Sequence, residues 1–332
     1  MNPNQLRRRM IQAACLSSLG VSGLALAQAQ PAAKWPEKMV RVIVAGPAGG
    51  TADIIARLVA DQLSKDTGQP FVVDPRAGAG GVLAVNELST APHDGYTLLV
   101  GVNSLVSEIP HIIKLRVDMA KEIKPVAELG QGGLVMIGAP TVPAKDFREL
   151  LAWVKANPGK VSYASYSPGT VSHVAGLQLN KAAGLDMTHV GYKGSTPALA
   201  DVMGGHVPLM FDGMATSLPM IKAGKVKAFA VSTPKRSPLL PDVPTFAELG
   251  YPQLETISWM GLWLKPDVPA AVQASVREAT LKVLAQPALR ARLLDTGLEA
   301  GGTRTPEELT RSLAADYQRV GEVLKSIDFK PE

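Results

Sequence analysis

The chain has 332 residues, 46% hydrophobic and 19% charged, with 34 Lys+Arg against 29 Asp+Glu, a formal net charge of +5 and one cysteine. That length is enough for two cores of ordinary domain size. The apolar fraction excludes a disordered chain, and one cysteine excludes a disulfide framework or a cysteine-rich zinc module.

The N-terminus reads as an export signal. Arg7, Arg8 and Arg9 form a basic head, and Ala13 to Leu26 is an apolar stretch softened by Ser17, Ser18 and Ser22. Ala25-Leu26-Ala27 is a small-x-small cleavage sequence. The stretch is shorter than the ~20 apolar residues of a membrane span. Arg7-Arg8 with Met10-Ile11 leaves the twin-arginine route open beside the general one, and Cys15 is poorly placed for lipid attachment. Cleavage after Ala27 takes Lys+Arg from 34 to 31, lowers the charge from +5 to +2 and removes the cysteine. The expectation is a thiol-free periplasmic protein with residues 28–34 as a lead-in.

From Trp35 onward, β-branched runs alternate with Gly-rich turns and helical patterns. Val40 to Val44 reads as a strand entering Ala45-Gly46-Pro47-Ala48-Gly49-Gly50, and Thr51 to Ser64 as a helix with Ile54, Ile55, Leu58, Val59 and Leu63 on one face. Phe71 to Val73 is the next strand, followed by a Gly-rich turn and a helix through Val85 to Leu88. Tyr96 to Val100 is a third strand, ending at Gly101-Val102-Asn103-Ser104. This βα order predicts a parallel sheet with helices on both faces. The pattern repeats with strands at Leu134–Ile137, Val161–Ser165, His189–Val190, Val207–Phe211, Val226–Val231 and Ile257–Leu264. Helices are predicted over Asp146–Asn157, Val171–Ala183 and Pro197–Met203, the last with proline at its first position. Two more close the chain: Ala270–Leu294, interrupted near Pro287, and Pro306–Ser326, opened by the capping box Thr305-Pro306-Glu307-Glu308.

No nucleophile elbow, phosphate loop or zinc-helix motif is present, and His93, His111, His173, His189 and His206 lack metal-ligand spacing. No catalytic residue, metal or cofactor is therefore assigned. Basic residues alternate with acids, as in Asp61/Lys65/Asp66, and only 5% of residues are aromatic, so no nucleic-acid footprint is read. The recurring feature is a strand–glycine–helix junction, after Val44, Val73, Val100, Ser165, Val190 and Phe211. Such turns gather at the carboxyl edge of a sheet, where helix N-termini offer unpaired N–H groups and partial positive charge to an anion. Thr51, Ser104, Thr170 and Ser195 would add neutral hydroxyl donors. Taken singly, Asp53 reads as a first-turn acid, His173 as a packed histidine, Lys193 as a solvated loop lysine, Asp212 as a turn cap and the Met203/Met210/Met214/Met220 cluster as core.

From Trp35 to Glu332 the chain resembles the periplasmic receptors of tripartite tricarboxylate transporters, also called Bug-type receptors. The resemblance lies in Arg41–Val44 with Pro47–Asp53, Gly68-Gln69-Pro70, Gly78–Gly81, Asp94–Leu99, Asn157–Lys160, His189–Gly194, Met210-Phe211-Asp212, Ile221–Lys225 and Leu240–Thr245. It implies a type II periplasmic binding protein-like α/β fold, two lobes with a ligand cleft between them and two crossing strands, placed at Leu134–Pro140 and Ile257–Lys265. The lobes would be 35–134 with 260–332, and 135–259. It also implies a small organic carboxylate as ligand, membrane permease subunits as partners, and a monomer. The contacts it implies are Ala48, Gly49, Thr51, Ser165, Ser167, Gly169 and Thr170, with Asp212 at the pocket wall and Asn103, Ser104, His173 and Lys193 as further candidates. Ala45-Gly46 stands where the family often has Pro-Phe, which implies a roomier pocket and leaves ligand identity open. An exported enzyme acting on a carboxylated metabolite, or a sensory receptor with the same pocket, are the alternatives.

Overall fold

A computed structural model describes residues 35–326 and residue 329; the expected export signal lies outside the described residues. Four of the five side chains of β1 (Val40–Val44) are buried, as required of a strand covered on both faces. Alternation divides them: Val42 and Val44 join one core with Val59, Leu63 and Leu98, while Ile43 joins another with Leu99, Trp263 and Leu309. β1 pairs in parallel with β2 (Phe71–Pro75) and β3 (Thr97–Val102). The crossovers are α1 (Thr51–Thr67) and α2 (Val82–Ser89). α1 stops at Gly68, whose φ of 73° provides a left-handed cap and whose N–H donates to Ser64 O at 3.0 Å.

Three single-turn helices, Ser104–Ser107, Ile109–Ile112 and Met119–Glu122, precede β4 (Lys124–Gly132). None of these four elements was expected. β4 carries a proline, a glutamate and two glycines, and it is a strand because β10 (Ser258–Leu264) pairs along nearly its whole length. Its buried Glu128 is matched by Arg304, whose Nε and Nη2 donate to Oε2 at 3.0 and 2.8 Å.

Through Gly133 the chain passes into β5 (Leu134–Gly138), the first strand of a second sheet. There follow α3 (Phe147–Lys155), β6 (Ser162–Ser165), α4 (Val171–Ala183), β7 (Thr188–Gly191), α5 (Ser195–Met203), β8 (Leu209–Gly213), α6 (Met214–Lys222) and β9 (Lys227–Val231). The chain returns over residues 232–257 to β10, then adds α7 (Ala270–Leu284), α8 (Pro287–Asp295), β11 (Glu299–Ala300) and α9 (Pro306–Ser326). The six-stranded sheet has the order β11-β4-β10-β3-β1-β2 and the five-stranded sheet β7-β6-β8-β5-β9.

Both sheets are mixed, which corrects the parallel expectation. β10 is antiparallel to β3 and β4, and β5 is antiparallel to β8 and β9. β4, β5 and β10 adjoin the two passages between sheets, so the βαβ rule does not set their direction. β8 also reaches two residues further than expected, because Gly213 pairs with Leu134. α5 begins at Ser195 rather than Pro197, and the proline still falls in the first turn, where no helical N–H partner is needed. α9 opens as predicted: Thr305 N–H donates to Glu308 Oε2 at 2.7 Å, and Glu308 N–H to Thr305 Oγ1 at 3.2 Å.

The second sheet packs Met136, Tyr163, Phe211 and Phe229 in its own core. α9 lies on the first sheet through Leu309 and Leu313, and further along packs Val320 and Leu324 against Ile112 and against Val174 of α4. Tyr163 is fully buried beneath Gly176 of α4, where an added Cβ would stand 2.1 Å from the ring. Gly176→Ala is therefore expected to cost about 1–3 kcal/mol through overpacking. Urea denaturation would show it as a lower midpoint at unchanged slope, and an unaltered midpoint would contradict the packing described.

Candidate functional site

Tight turns following the strands bring backbone from both sheets around one cavity of about 100 Å³. From the first sheet come Ala45 to Pro47 after β1, Gly50 to Ala52 at the start of α1, Gly78, Gly80 and Gly81 after β2 and Ser104 after β3. From the second come Tyr166, Ser167, Thr170 and Val171 around the turn after β6, Lys193 to Ser195 after β7, and Gly213 and Met214 after β8. All six junctions marked in the sequence thus reach the same space.

Four helices of nine residues or more begin at this cavity. α1 starts from Gly50, α4 from Thr170, α5 from Gly194 and α6 from Gly213, and none of these positions supplies a side-chain cap. By contrast α3, on the far side of its sheet, is capped by Asp146, which accepts from Glu149 N–H at 2.8 Å. The first N–H groups of a helix have no intrahelical acceptor, and each terminus carries about half a positive charge. Two hydroxyls in the lining, Thr51 Oγ1 and Ser104 Oγ, are buried without a partner. A buried polar atom left unpaired is costly, so both hydroxyls are open to a partner.

Glycine lets the two sides approach. Gly194, at φ 108°, sits against Pro47 so closely that a Cβ would be 2.2 Å from Pro47 Cδ. Beside it, Thr196 Oγ1 donates to Ala48 O at 3.1 Å, joining the turn after β7 to the turn after β1.

Of the residues expected to contact a ligand, Thr51, Ser104, Ser167, Thr170 and Lys193 line the cavity. Lys193 is exposed, at the mouth. The others support it. Gly49 N–H donates to Asp53 Oδ2 at 2.9 Å, and Arg57 Nε to the same oxygen at 2.8 Å, which pins the loop containing Ala48 and Gly49. Asn103 Oδ1 accepts from Trp259 N–H at 3.2 Å and so ties this turn to β10. Gly169 N–H donates to His173 Nδ1 at 3.2 Å, and Ser165 Oγ stands 2.6 Å from His189 Nε2.

Two expected hydroxyl donors are corrected. Thr170 Oγ1 donates to Ser167 O at 2.8 Å, and Ser195 Oγ donates to Asp212 Oδ1 at 2.7 Å, so neither proton is free. Asp212 is fully buried behind the wall and does not cap a turn; Thr216 Oγ1 at 2.8 Å and Ser217 Oγ both donate to its Oδ2. Burial raises its pKa, and the surrounding hydroxyls oppose the rise. Met214, assigned to the core, also faces the cavity. The sequence reading did not name Tyr166, Gly194, Met260 or Leu298 as site residues. Gly194 could have been found as the glycine before an uncapped helix. Leu298 has no local signal, because only the return of the C-terminal segment brings it there.

Ser165 and His189 have the spacing of a nucleophile and its base, yet Ser165 is fully buried and its hydroxyl is also shared with Ser167 O at 3.1 Å. Among the described residues no group of three or more His, Cys, Asp or Glu is placed to hold a metal ion, and no helix is long and apolar enough to cross a membrane.

The stacked rings of His173 and His189, 3.8 Å apart, give a pH signature. Burial lowers His173 to about 3, with His189 adding to the effect, and burial lowers His189 to about 4. The unfolded chain therefore takes up protons below the ordinary value near 6.5 while the folded chain does not. Stability is complete above that value and falls as pH drops toward 4, by up to about 1.4 kcal/mol per pH unit for each histidine. Glu108, raised to about 7 by burial, and Asp212, also raised by burial, act with the opposite sign, so the histidine part is read from the difference that His189→Gln makes. Denaturant titrations between pH 4.5 and 6.5 should show the loss, with His189→Gln roughly halving the histidine part. A slope unchanged by that substitution would refute the assignment.

Known proteins share this fold. Residues 55–329 match the model of the tripartite tricarboxylate transporter family receptor. A protein of Agrobacterium vitis, from the TAR-I ttuE-ttuC' intergenic region, is 34% identical over 90% of this chain and 86% of its own length. A Rhodopseudomonas palustris structure with adipate has a TM-score of 0.86 at 30% identity, covering 90% of this chain and all of that one. MatC from the same species, with bound malate, has a TM-score of 0.82 at 31% identity, covering 87% of this chain and all of that one. With the match spanning most of its length and the same fold on each side of the cavity, the chain belongs to the tripartite tricarboxylate transporter receptor family and is a solute receptor of the periplasmic binding protein kind.

Proposed function

We propose that this receptor works in the periplasm, after cleavage near Ala27, capturing a small organic carboxylate between two lobes and delivering it to the membrane permease subunits of a tripartite tricarboxylate-type transporter. The lobes are 35–134 with 260–332, and 135–259, and the protein acts as a monomer. The observation that carries this reading is the convergence of four uncapped helix N-termini on a cavity holding two unpaired buried hydroxyls. An anion there gains N–H donors and helix-end potential without an arginine. Adipate and malate in two relatives of the same fold support the ligand class.

Thr51, Ser104, Ser167, Thr170 and Lys193 meet the ligand. Ala48, Gly49, Asn103, Ser165, Gly169, His173 and Asp212 hold their backbone and hydroxyls in place. Closure of the lobes excludes water and so strengthens each N–H contact. No step of chemistry is assigned to these residues.

Purified protein is expected to bind at least one di-, tri- or aromatic carboxylate at micromolar or tighter affinity, and saturation at about 100 times Kd adds roughly 2.7 kcal/mol of apparent stability. A thermal-shift screen across such carboxylates with no stabilised hit would overturn the reading. Gly194→Ala places a methyl group against Pro47 and should weaken any such hit at least tenfold while far-UV circular dichroism stays unchanged. Undiminished affinity in that variant would mean that the close approach of the two turns plays no part in binding.

A further inference from the structure

A second cavity, of about 1330 Å³, lies between α9 and the single-turn helices that precede β4, and it shares no lining residue with the first. One wall is a single stripe of α9: Thr310, Leu313, Ala314, Tyr317 and Gln318 stand at i, i+3, i+4, i+7 and i+8. Leu313 is buried in the core beneath, whereas Thr310, Ala314 and Gln318 are exposed. The facing wall is apolar, built from Pro110, Ile113, Leu115, Val117, Met119 and Ile123, with Val117 exposed. The result is a groove that runs along a helix.

Size and shape decide the class of occupant. Sites for small molecules usually measure about 300–1,000 Å³. A helix about 10 Å across fills 1330 Å³ with a length of about 17 Å, or roughly 11 residues. The stripe from Thr310 to Gln318 rises about 12 Å, so a helix laid beside α9 is matched along most of that length. Ala314, small and exposed at the middle of the stripe, leaves room for the ~8–10 Å axial separation of packed helices.

Charge decides the partner. Lys114 and Lys124 border the groove, and among the described residues neither ammonium has a partner. The carboxylate of Asp118 is already matched by Lys121 Nζ at 3.1 Å and accepts from Ala120 N–H at 3.1 Å. His111 is stacked on Tyr317, with Nε2 2.8 Å from Tyr317 O. The unmatched charge at the rim is therefore positive. We infer that this groove is a docking site for an amphipathic helix of a partner protein, apolar on the face it buries and acidic along its edges. A second copy of this chain suits the groove less well, since it brings the same unmatched lysines. The chain's own basic head, Arg7 to Arg9, has the same sign as the rim.

The test is fluorescence anisotropy of the purified protein with two lactam-stapled helical peptides. Both carry leucine at i, i+3, i+4 and i+7, and they differ in having glutamate or lysine at the flanking positions. The glutamate peptide is expected to bind at micromolar or tighter Kd, weakening as salt is raised, and the lysine peptide at least about tenfold more weakly. Lys114→Glu combined with Lys124→Glu should invert that order, and Ala314→Trp, which fills the groove from an exposed position, should abolish binding of both. Absence of binding by the glutamate peptide, equal affinity of the two peptides, or binding that survives Ala314→Trp would overturn the inference. So would a dimer in sedimentation velocity that Ala314→Trp dissociates, which would assign the groove to a second copy. Dodecanoate binding that Ala314→Trp removes, with neither peptide bound, would assign it to a small amphiphile and overturn the inference equally. The peptide pair on the unsubstituted protein decides the matter even where a variant does not fold, and carboxylate binding at the first cavity stands or falls separately.

Discussion

An α-helix cannot pair its own first N–H groups, and much of this molecule is arranged around where those groups are left. Four helices leave them facing one cavity, each starting from a glycine or threonine that offers no cap. A surface helix such as α3 instead satisfies its first turn with Asp146. Facing one cavity without caps, these ends offer it N–H donors and partial positive charge. The net charge of the chain is a poor guide to this, since peptide dipoles do not enter the sum.

What holds the uncapped ends in position is a layer of polar contacts behind the cavity. Asp53 fastens the loop after β1, His173 and His189 sit beneath the turn after β6, and Asp212 gathers hydroxyls from α5 and α6. Asp53, His173 and Asp212 are buried and His189 is half-buried. These contacts fix which protons remain available: Thr51 and Ser104 keep theirs, whereas Ser195 and Thr170 do not.

Glycine governs the approach of the two sides. At Gly194 the absence of a side chain brings two turns from different sheets into contact, and at Gly133, where the chain passes between the sheets, a Cβ would meet Thr233 Cγ2 at 2.6 Å. The C-terminal helix then spans from Leu309 on the first sheet to Val320 and Leu324 beside α4. A segment far along the chain thus touches both sides, which is also how Leu298 comes to line the cavity.

Local patterns determined most of the elements. β1 is legible because five consecutive residues suit a strand, and α9 because Thr305 and Glu308 form a capping box around a proline. The strand–glycine–helix junctions also marked the turns that meet at the cavity, since a turn's chemistry is a property of adjacent residues. The tertiary structure decided what depends on distant partners. β4, with proline and glutamate inside it, is a strand only because β10 and Arg304 arrive from residues more than a hundred positions away. Likewise no sequence window could tell that Ser195 gives its proton to Asp212 while Ser104 keeps its own, because the direction of a hydroxyl is set by whichever acceptor the fold brings near.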